Sequence, residues 1–207
     1  MVGVALKRLL VLQGTQAQPV KGVKLVGLKI SQSAPTFLDK YMVPSGGDWS
    51  IHIGGAVFAE GVEGMVVSGC TFERLGGNAL FLSNYAANTV INASEFAWIG
   101  DSAVALVGST KFAQTQDRSG TDLMDGTNGD QPRGTVFDRN LVREVGVFGK
   151  QTSAFVQAVA CNTTISNSVL FNGPRAGVNF NDGFGGGNKM FGLLTFNWVR
   201  ETSDHGE

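Results

Sequence analysis

A pair of large apolar residues, five positions apart, recurs six times along this 207-residue chain. The repeating units start at Gly22, Gly64, Asn88, Gly134, Asn162 and Asn188. Three positions after each start stand Leu25, Val67, Ile91, Phe137, Ile165 and Phe191. Eight positions after each start stand Ile30, Phe72, Phe96, Val142, Leu170 and Phe196. This regularity predicts a solenoid, in which each unit forms one coil that stacks on its neighbours.

Each unit consists of short apolar segments separated by turn residues. Met65 to Phe72 and Asn88 to Phe96 are rich in Val, Ile, Thr and Phe, which favour strands. A further apolar segment follows in most units, for example Ala79 to Leu82. No stretch shows helical periodicity with caps, and the 29 glycines would weaken any long helix. We therefore expect an all-β fold, a parallel β-helix of about six coils with partial coils at the termini.

Composition limits the classes of partner. Sixteen basic and seventeen acidic side chains leave a net charge of −1 without a basic block, so no nucleic-acid partner is expected. No apolar run approaches the ~18 residues that span a bilayer, so no membrane partner is expected. The segment from Met1 to Leu12 is a poor secretory signal, because a basic pair interrupts it, and we interpret it as a strand of a preceding coil. Cys70 and Cys161 occupy different offsets in distant coils, so free thiols are expected.

The chain has enough apolar residues, 43%, to fill the internal columns of one β-helix domain, residues 1–207. The last unit stops at Glu207, where its second strand should form, and no capping element follows. We therefore interpret the chain as a fragment of a longer solenoid. An open coil end exposes unpaired strand edges, so self-association is expected.

Two insertions, residues 31–48 and 109–133, interrupt the repeat. Loops of this length in a compact domain are usually functional or disordered, and in a β-helix they wall a groove along a strand face. The second insertion contains four aspartates, at positions 117, 122, 125 and 130. Three interpretations stay open for it: a solvated acidic loop, a substrate contact, or Ca²⁺ binding through Asp125 to Asp130. The last lacks the full EF-hand spacing and its terminal Glu.

The second apolar segment of each unit predicts a groove. We expect an inward column formed by Ile51, Leu80, Val104, Val156 and Val178. Alternation along the strands then gives an outward column of His52, Phe81, Ala105, Gln157, Asn179 and His205. A neighbouring outward column contains Ser83, Val107 and Asn181.

Polar side chains concentrate toward the C-terminal coils, where we place the candidate site. Asp182 is the candidate catalytic carboxylate, with Asp204 or His205 from the next coil as its partner. A carboxylate beside an imidazole suits acid–base chemistry near neutral pH. Arg175, Asn179, Asn181, Gln157 and His52 are the candidate substrate-binding residues.

Each of these residues also has a purely structural interpretation. Asn179 and Asn181 suit stacked amide ladders, and Arg175 with Asp182 suits a surface ion pair worth at most ~1 kcal/mol. Asp101 opens a strand too far from Asp182 to pair with it as a glycosidase acid and base, whose carboxyls lie ~5–9.5 Å apart.

The segments Asn172 to Gly187 and Val199 to Gly206, with the recurring Asn-x-x-Ile/Val spacing, resemble right-handed parallel β-helix proteins of the pectin-lyase-like superfamily. The resemblance extends over nearly the whole chain. It implies a right-handed coil and extracellular proteins that commonly act on acidic or neutral polysaccharides. The Arg-x-Pro-x-x-Arg pattern of pectate lyases and the Asn-Thr-Asp and Gly-His-Gly blocks of polygalacturonases do not occur, so no catalytic residue is transferred by motif.

Two hypotheses follow for the function. The first is a carbohydrate-active β-helix protein, a polysaccharide hydrolase or lyase or a fragment of one. The second is a glycan-binding or structural β-solenoid without catalysis. Both take a polysaccharide or oligosaccharide as partner, and neither requires a cofactor or metal. Fold alone does not choose between them.

Overall fold

The computed structural model describes residues 5–42, 49–108, 130–181 and 186–196. Within these ranges every regular element is a β-strand. The strands form three parallel sheets and one short antiparallel pair. The chain therefore folds as a parallel β-helix, which confirms the all-β solenoid predicted from the repeat.

Each complete coil contributes one strand to each of the three sheets, named A, B and C. Sheet B contains β3 (Lys24–Val26), β8 (Val66–Ser68), β11 (Val90–Asn92), β15 (Val136–Asp138), β18 (Thr164–Ser166) and β21 (Lys189–Phe191). Sheet C contains β4 (Lys29–Ser31), β9 (Thr71–Leu75), β12 (Glu95–Ile99), β16 (Leu141–Val145), β19 (Val169–Phe171) and β22 (Leu194–Phe196).

Sheet A completes the coil and is the longest of the three. It contains β1 (Leu10–Gln13), β7 (Val57–Glu63), β10 (Leu80–Ala87), β13 (Val104–Val107), β17 (Ser153–Ala158) and β20 (Ala176–Asn181). Two short strands extend it: β2 (Val20–Lys21) pairs with β7, and β14 (Pro132–Arg133) pairs with β10. The segment between β4 and β7, residues 32–56, contains the first insertion and the residues that lead the chain back to sheet A, and we call this whole segment the first insertion from here on. It carries the antiparallel pair β5 (Tyr41–Met42) and β6 (Ile51–His52).

The two apolar columns predicted from the repeat are present in the first five coils. Leu25, Val67, Ile91, Phe137 and Ile165 are in register across sheet B. Ile30, Phe72, Phe96, Val142 and Leu170 are in register across sheet C. Nine of these ten side chains are buried, and Ile30 is partly buried against the same core. Phe72 and Phe96 stack with ring centroids 4.7 Å apart, so adjacent coils contact each other through equivalent residues.

The prediction for the sixth coil is wrong by one residue. Met190 pairs with Ile165, and Thr195 pairs with Leu170, so these residues continue the columns in place of Phe191 and Phe196. The corner before each strand of sheet B requires a left-handed residue, and in this coil it is Gly187, with φ of 72°. Asn188 follows the corner, where its Oδ1 accepts a hydrogen bond from the Thr163 N–H.

The predicted inward column of sheet A also needs correction. Phe155, not Val156, pairs with Val104, and its ring packs edge-on against Phe137 inside the coil. Because side chains alternate along a strand, this one-residue shift turns Val156 outward and Gln157 inward. Ile51 does not belong to sheet A at all, since it lies in β6.

The outer face of sheet A is largely covered. Phe58, Phe81, Ala105 and Val156 form a second buried apolar cluster on this face. Ile51 from the first insertion belongs to the same cluster, and Ile53 packs against it. The insertion therefore closes part of the face that was expected to form an open groove.

Two further expectations concern the cysteines and membrane spans. Cys70 is buried and Cys161 is partly buried, and both are free thiols, as expected from their offsets. Among the described residues, no helix has the length and apolar character required to cross a membrane.

Candidate functional site at the corner between sheets C and A

Several candidate residues lie outside the described ranges. Asp182, Asp204 and His205 are among them, so their predicted pairing stays a prediction. The proposed calcium segment, Asp125 to Asp130, contributes only Asp130, whose Oδ1 accepts the Tyr85 N–H at 3.2 Å. Within the described part of the chain, no group of three His, Cys, Asp or Glu side chains is placed to hold a metal ion.

Three of the predicted substrate-binding residues, Arg175, Asn179 and Asn181, lie on β20 or in the turn before it. The guanidinium of Arg175 lies 4.1 Å from the ring centroid of Trp49 and donates a hydrogen bond to Oε1 of Gln151. Asn179 continues the outward column, because it pairs with Val156, and its Nδ2 is buried without a partner among the described residues. Asn181 pairs with Ala158 at the end of the strand. Of these three residues, Arg175 contacts the first insertion, through Trp49.

Gln157 does not line a groove. Its side chain is buried on the inward side of sheet A, in register with Leu106, and its Nε2 donates to the carbonyl oxygen of Ala160 at 3.2 Å. The expected outward orientation is therefore wrong. The reason is the one-residue shift of β17 that places the larger Phe155 in the core.

His52 belongs to a cluster of four ionisable residues and one threonine at the corner between sheets C and A, which we call the corner cluster. Its members are Asp39, Tyr41, His52, Asp101 and Thr152. The first insertion supplies Asp39, Tyr41 and His52. Asp101 lies in the turn between β12 and β13, and Thr152 immediately precedes β17. The cluster thus joins the insertion to two successive coils.

A buried asparagine fixes the insertion onto this corner. Nδ2 of Asn78 donates to the carbonyl oxygens of His52, at 2.9 Å, and Gly54, at 2.8 Å. Its Oδ1 accepts the Ser102 N–H at 3.0 Å. With donors and acceptor all occupied, Asn78 determines the position of β6 relative to the coil that carries Asp101.

Asp39 is the accessible carboxylate of the cluster. Its Oδ1 accepts a hydrogen bond from Nζ of Lys7, and its Oδ2 lies 3.2 Å from Nε2 of His52. The hydrogen bond and charge of Lys7 lower the pKa of Asp39, with a smaller contribution from His52. Asp39 is therefore ionised at neutral pH.

His52 is nearly buried and neutral. Burial lowers the pKa of its imidazole, and the neighbouring Asp39 carboxylate opposes that shift only in part. A neutral imidazole carries one N–H, and the short approach to Asp39 places it on Nε2. Nδ1 is then an acceptor, and it is buried without a hydrogen-bond partner among the described residues.

The pKa of Asp101 is shifted in the opposite direction from that of Asp39. It is 1% exposed, and burial raises its pKa from 3.8 to about 6, although hydrogen bonds from Thr152, Tyr41 and the His52 backbone oppose the shift. Its Oδ2 has no hydrogen-bond partner of good geometry within the described ranges. Gly149 makes room for this carboxyl, because a Cβ there would lie 2.7 Å from Oδ1.

Tyr41 contacts both His52 and Asp101. Its ring packs on the His52 ring with centroids 5.4 Å apart, and its hydroxyl lies 3.3 Å from Oγ1 of Thr36. Burial, followed by the nearby Asp101, raises the pKa of the phenol well above its usual value, so Tyr41 keeps its proton. The cluster therefore combines an ionised carboxylate, a neutral imidazole, a phenol and a carboxyl that titrates near neutrality.

The sequence predicts only part of this cluster. Its pattern predicts His52 as a groove residue and relates Asp101 only to Asp182. Asp39 and Tyr41 lie in an insertion without repeat pattern, so no register predicts their neighbours. Their only signal was the presence of ionisable residues in a long insertion, which is where binding residues often occur.

Comparison with known proteins gives a fold relationship. The sequence matches no protein-family model, and no curated protein shows significant similarity to it. A solved structure named "Glycoside hydrolase" superposes on the chain with a TM-score of 0.68 at 15% sequence identity. The match covers 88% of this chain and 34% of the other, so this chain spans about a third of that protein's length. This likeness shows a shared fold, the parallel β-helix.

Proposed function

We propose that this chain is part of an extracellular carbohydrate-active β-helix protein of the pectin-lyase-like type, which cleaves a polysaccharide as a hydrolase or lyase. The observation that carries the proposal is the opposite pKa shift of two carboxyls in one cluster. Asp39 is held ionised and Asp101 is held protonated up to about pH 6. Titratable groups whose environments separate their pKa values are typical of acid–base sites. The structural neighbour named as a glycoside hydrolase supports the choice of substrate class.

The solvent exposure of each side chain in the corner cluster determines the role that we assign to it. Asp39 is partly exposed and accepts a proton, either from a water that attacks the anomeric carbon or from a sugar carbon beside a carboxylate. Tyr41, whose phenol keeps its proton, donates a hydrogen bond to the leaving glycosidic oxygen. Asp101 is too deeply buried to touch a polysaccharide, so it acts as a positioning residue that orients Tyr41. In hydrolysis the water supplies the new hydroxyl, its proton passes to Asp39, and Asp39 returns that proton through solvent to the leaving oxygen; in elimination the proton taken from the sugar carbon reaches the leaving oxygen in the same way.

A second candidate function is glycan binding without cleavage. The burial of Asp101 and of Nδ1 of His52 favours it, because neither group faces solvent. In that case the corner cluster only holds the insertion in place. The two candidates differ in whether products form, and a product assay therefore separates them.

The residues predicted from the sequence define an alternative reactive site. Asp182 with Asp204 or His205 would perform the chemistry there, with Arg175, Asn179 and Asn181 orienting the substrate. Of the described residues in that set, Arg175 contacts Trp49 of the insertion that supplies His52 to the corner cluster. Self-association through open coil ends also stays a proposal.

The test is a product assay on the 207-residue protein with a panel of uronate and neutral polysaccharides. Unsaturated uronates indicate a lyase, and new reducing ends without unsaturation indicate a hydrolase. Asp39→Asn and Tyr41→Phe should each lower turnover at least a hundredfold, whereas Asp138→Asn, which alters a carboxylate on sheet B, should leave it unchanged. Full activity in both corner variants would exclude the corner cluster, and loss in Asp182→Asn and His205→Ala would assign the reaction to the C-terminal residues. Binding without product would establish the glycan-binding alternative.

A further inference from the structure

Two half-exposed phenylalanine rings lie beside the corner cluster. Phe37 is 51% exposed and Phe148 is 46% exposed, and their centroids are 5.4 Å apart with planes inclined by 36°. Phe37 comes from the first insertion, whereas Phe148 comes from the turn between sheets C and A of a later coil. Exposed apolar surface that is contiguous and rimmed by polar residues is typical of a binding site.

Backbone hydrogen bonds hold both rings in place. The N–H groups of Phe148 and Gly149 both donate to the carbonyl oxygen of Gly100 at 2.9 Å, and the Val147 N–H donates to that of Ile99 at 3.1 Å. The turn that carries Phe37 is closed by a 2.8 Å hydrogen bond from the Asp39 N–H to the Thr36 carbonyl. The aromatic surface is therefore formed before any ligand arrives, which reduces the entropic cost of binding.

The charges around the rings are predominantly positive. Lys7, Lys40 and Lys150 are exposed on the same turns or on the segment that packs beside them. The Lys150 ammonium is anchored by the carbonyl oxygens of Gly146 and Val147, which keeps it next to Phe148. Asp39, the acidic residue of these turns, already pairs with Lys7. An anionic ligand would complement this surface.

We propose that Phe37 and Phe148 form a subsite for one sugar ring of an anionic polysaccharide. The C–H face of the pyranose packs on the two rings, and its carboxylate or sulfate group contacts Lys150 and Lys40. The choice of a glycan as ligand rests on the proposed function. The aromatic and cationic character of the protein surface, in contrast, is observed directly. Binding here would place the adjoining glycosidic bond beside Asp39, which follows Phe37 by two residues in the turn closed by the Asp39–Thr36 hydrogen bond.

A competing partner is an anionic lipid bilayer. Leu38, between Phe37 and Asp39, is 86% exposed, and apolar residues flanked by lysines also suit a membrane surface. Rings fixed by backbone hydrogen bonds in a tilted pair favour a defined flat ligand over disordered acyl chains. We therefore assign the surface to a glycan and test the bilayer as the alternative.

The experiment measures the affinity of the 207-residue protein for polygalacturonate, chondroitin sulfate and neutral dextran by affinity electrophoresis. Phe37→Ala and Phe148→Ala should each weaken binding to an anionic glycan at least tenfold. Lys150→Gln should weaken it several-fold and reduce its salt dependence. Phe191→Ala is the matched control, because Phe191 is an equally exposed phenylalanine on sheet B, and it should bind like the unmodified protein.

The outcomes separate this subsite from the proposed reaction. Unchanged affinity in both phenylalanine variants overturns the subsite, even if the protein forms products. Anionic glycan binding that depends on both rings supports the subsite, even if no product appears and the proposed reaction fails. Preference for dextran overturns the anionic assignment. Binding to phosphatidylglycerol vesicles that is abolished by Leu38→Asp but not by Leu28→Asp, with no glycan binding, assigns the surface to a bilayer and overturns the inference.

Discussion

The side-chain amide of Asn78 donates a 2.9 Å hydrogen bond to the carbonyl oxygen of His52. The same amide group binds Gly54, and its oxygen accepts the Ser102 N–H. One buried side chain thus links the insertion to two consecutive coils. The position of His52 relative to Asp101 depends on this link, because the insertion lies outside the repeating sheets.

Replacing Asn78 by Ala should release the insertion from the corner. Each buried group left unpaired costs about 1–3 kcal/mol, so we expect unfolding free energy to fall by several kcal/mol and the insertion to become sensitive to protease. Asn140→Ala is the matched control, because its amide bonds the Ile91 carbonyl and the Ser94 N–H at 2.9 Å on a different corner. It should destabilise the protein while the insertion stays protected in the native state. Equal proteolysis of the insertion in both variants would contradict the role given to Asn78.

The free energy of unfolding should depend on pH because Asp101 titrates. In the native state this carboxyl keeps its proton up to about pH 6, whereas in the unfolded state it ionises near 3.8. Its contribution to stability is therefore fully present below pH 3.8 and is lost as the pH rises through about 6. The shift corresponds to about 3 kcal/mol, since one pKa unit is about 1.4 kcal/mol. Asp101→Asn should remove this slope in denaturant unfolding measured from pH 4 to 7.

Asp138 provides a control of opposite sign. Hydrogen bonds from Asn167 and Ser166 lower the pKa of Asp138, so its contribution is present above the unfolded pKa and is lost as the pH falls. Asp138→Asn should therefore destabilise the protein at pH 7 and leave the Asp101 slope intact. An unchanged slope in Asp101→Asn would show that the buried carboxyl is ionised throughout this pH range.

His52 should titrate below its ordinary pKa of 6.5. Burial disfavours the imidazolium, and the Asp39 carboxylate partly restores it, so Asp39→Asn should lower the pKa of His52 further. NMR titration of the imidazole signals, assigned with His52→Gln, measures both values. As the pH falls below 6.5, the unfolded state gains this proton first, and stability should decrease. A pKa that rises in Asp39→Asn would contradict the pairing of the two side chains.

Phe96 should be among the most costly residues to truncate. It is fully buried, stacks on Phe72 and lies 6.2 Å from the ring centroid of Phe137. Phe96→Ala should cost roughly 3–5 kcal/mol in denaturant unfolding, because a large cavity would form between coils. Phe191→Ala, at an exposed position, should change stability by less than about 1 kcal/mol. Similar small costs at both positions would mean that the stacked column does not hold adjacent coils together.

The sequence predicted the central coils well because stacking imposes one requirement on every repeat. Val67, Ile91 and Phe137 occupy equivalent positions in successive coils, so each must be apolar, and the period appears directly in the sequence. The last coil was misplaced because Gly187 and Asn188 are both suitable corner residues by type. The hydrogen-bond register, with Ile165 beside Met190, decides between them.

The repeat period predicted the strand register of sheet A less well. Ser153 to Ala158 are all buried, since one face lies on the coil interior and the other under a second apolar cluster. A strand buried on both faces has no polar alternation from which to read its register. The structure places Phe155 inward and Gln157 beside Leu106, whereas the sequence pattern predicted Val156 inward and Gln157 outward.

The sequence by itself determined the solenoid, its apolar columns in the first five coils of sheets B and C, and the free thiols, because these follow from nearest-neighbour repetition. Only the tertiary structure brought Asp39, Tyr41 and His52 onto Asp101, and Phe37 onto Phe148. These contacts join an insertion to corners of later coils, and no period relates the two. Their positions depend on individual hydrogen bonds, such as those of Asn78 and Gly100, whose partners are distant in the sequence.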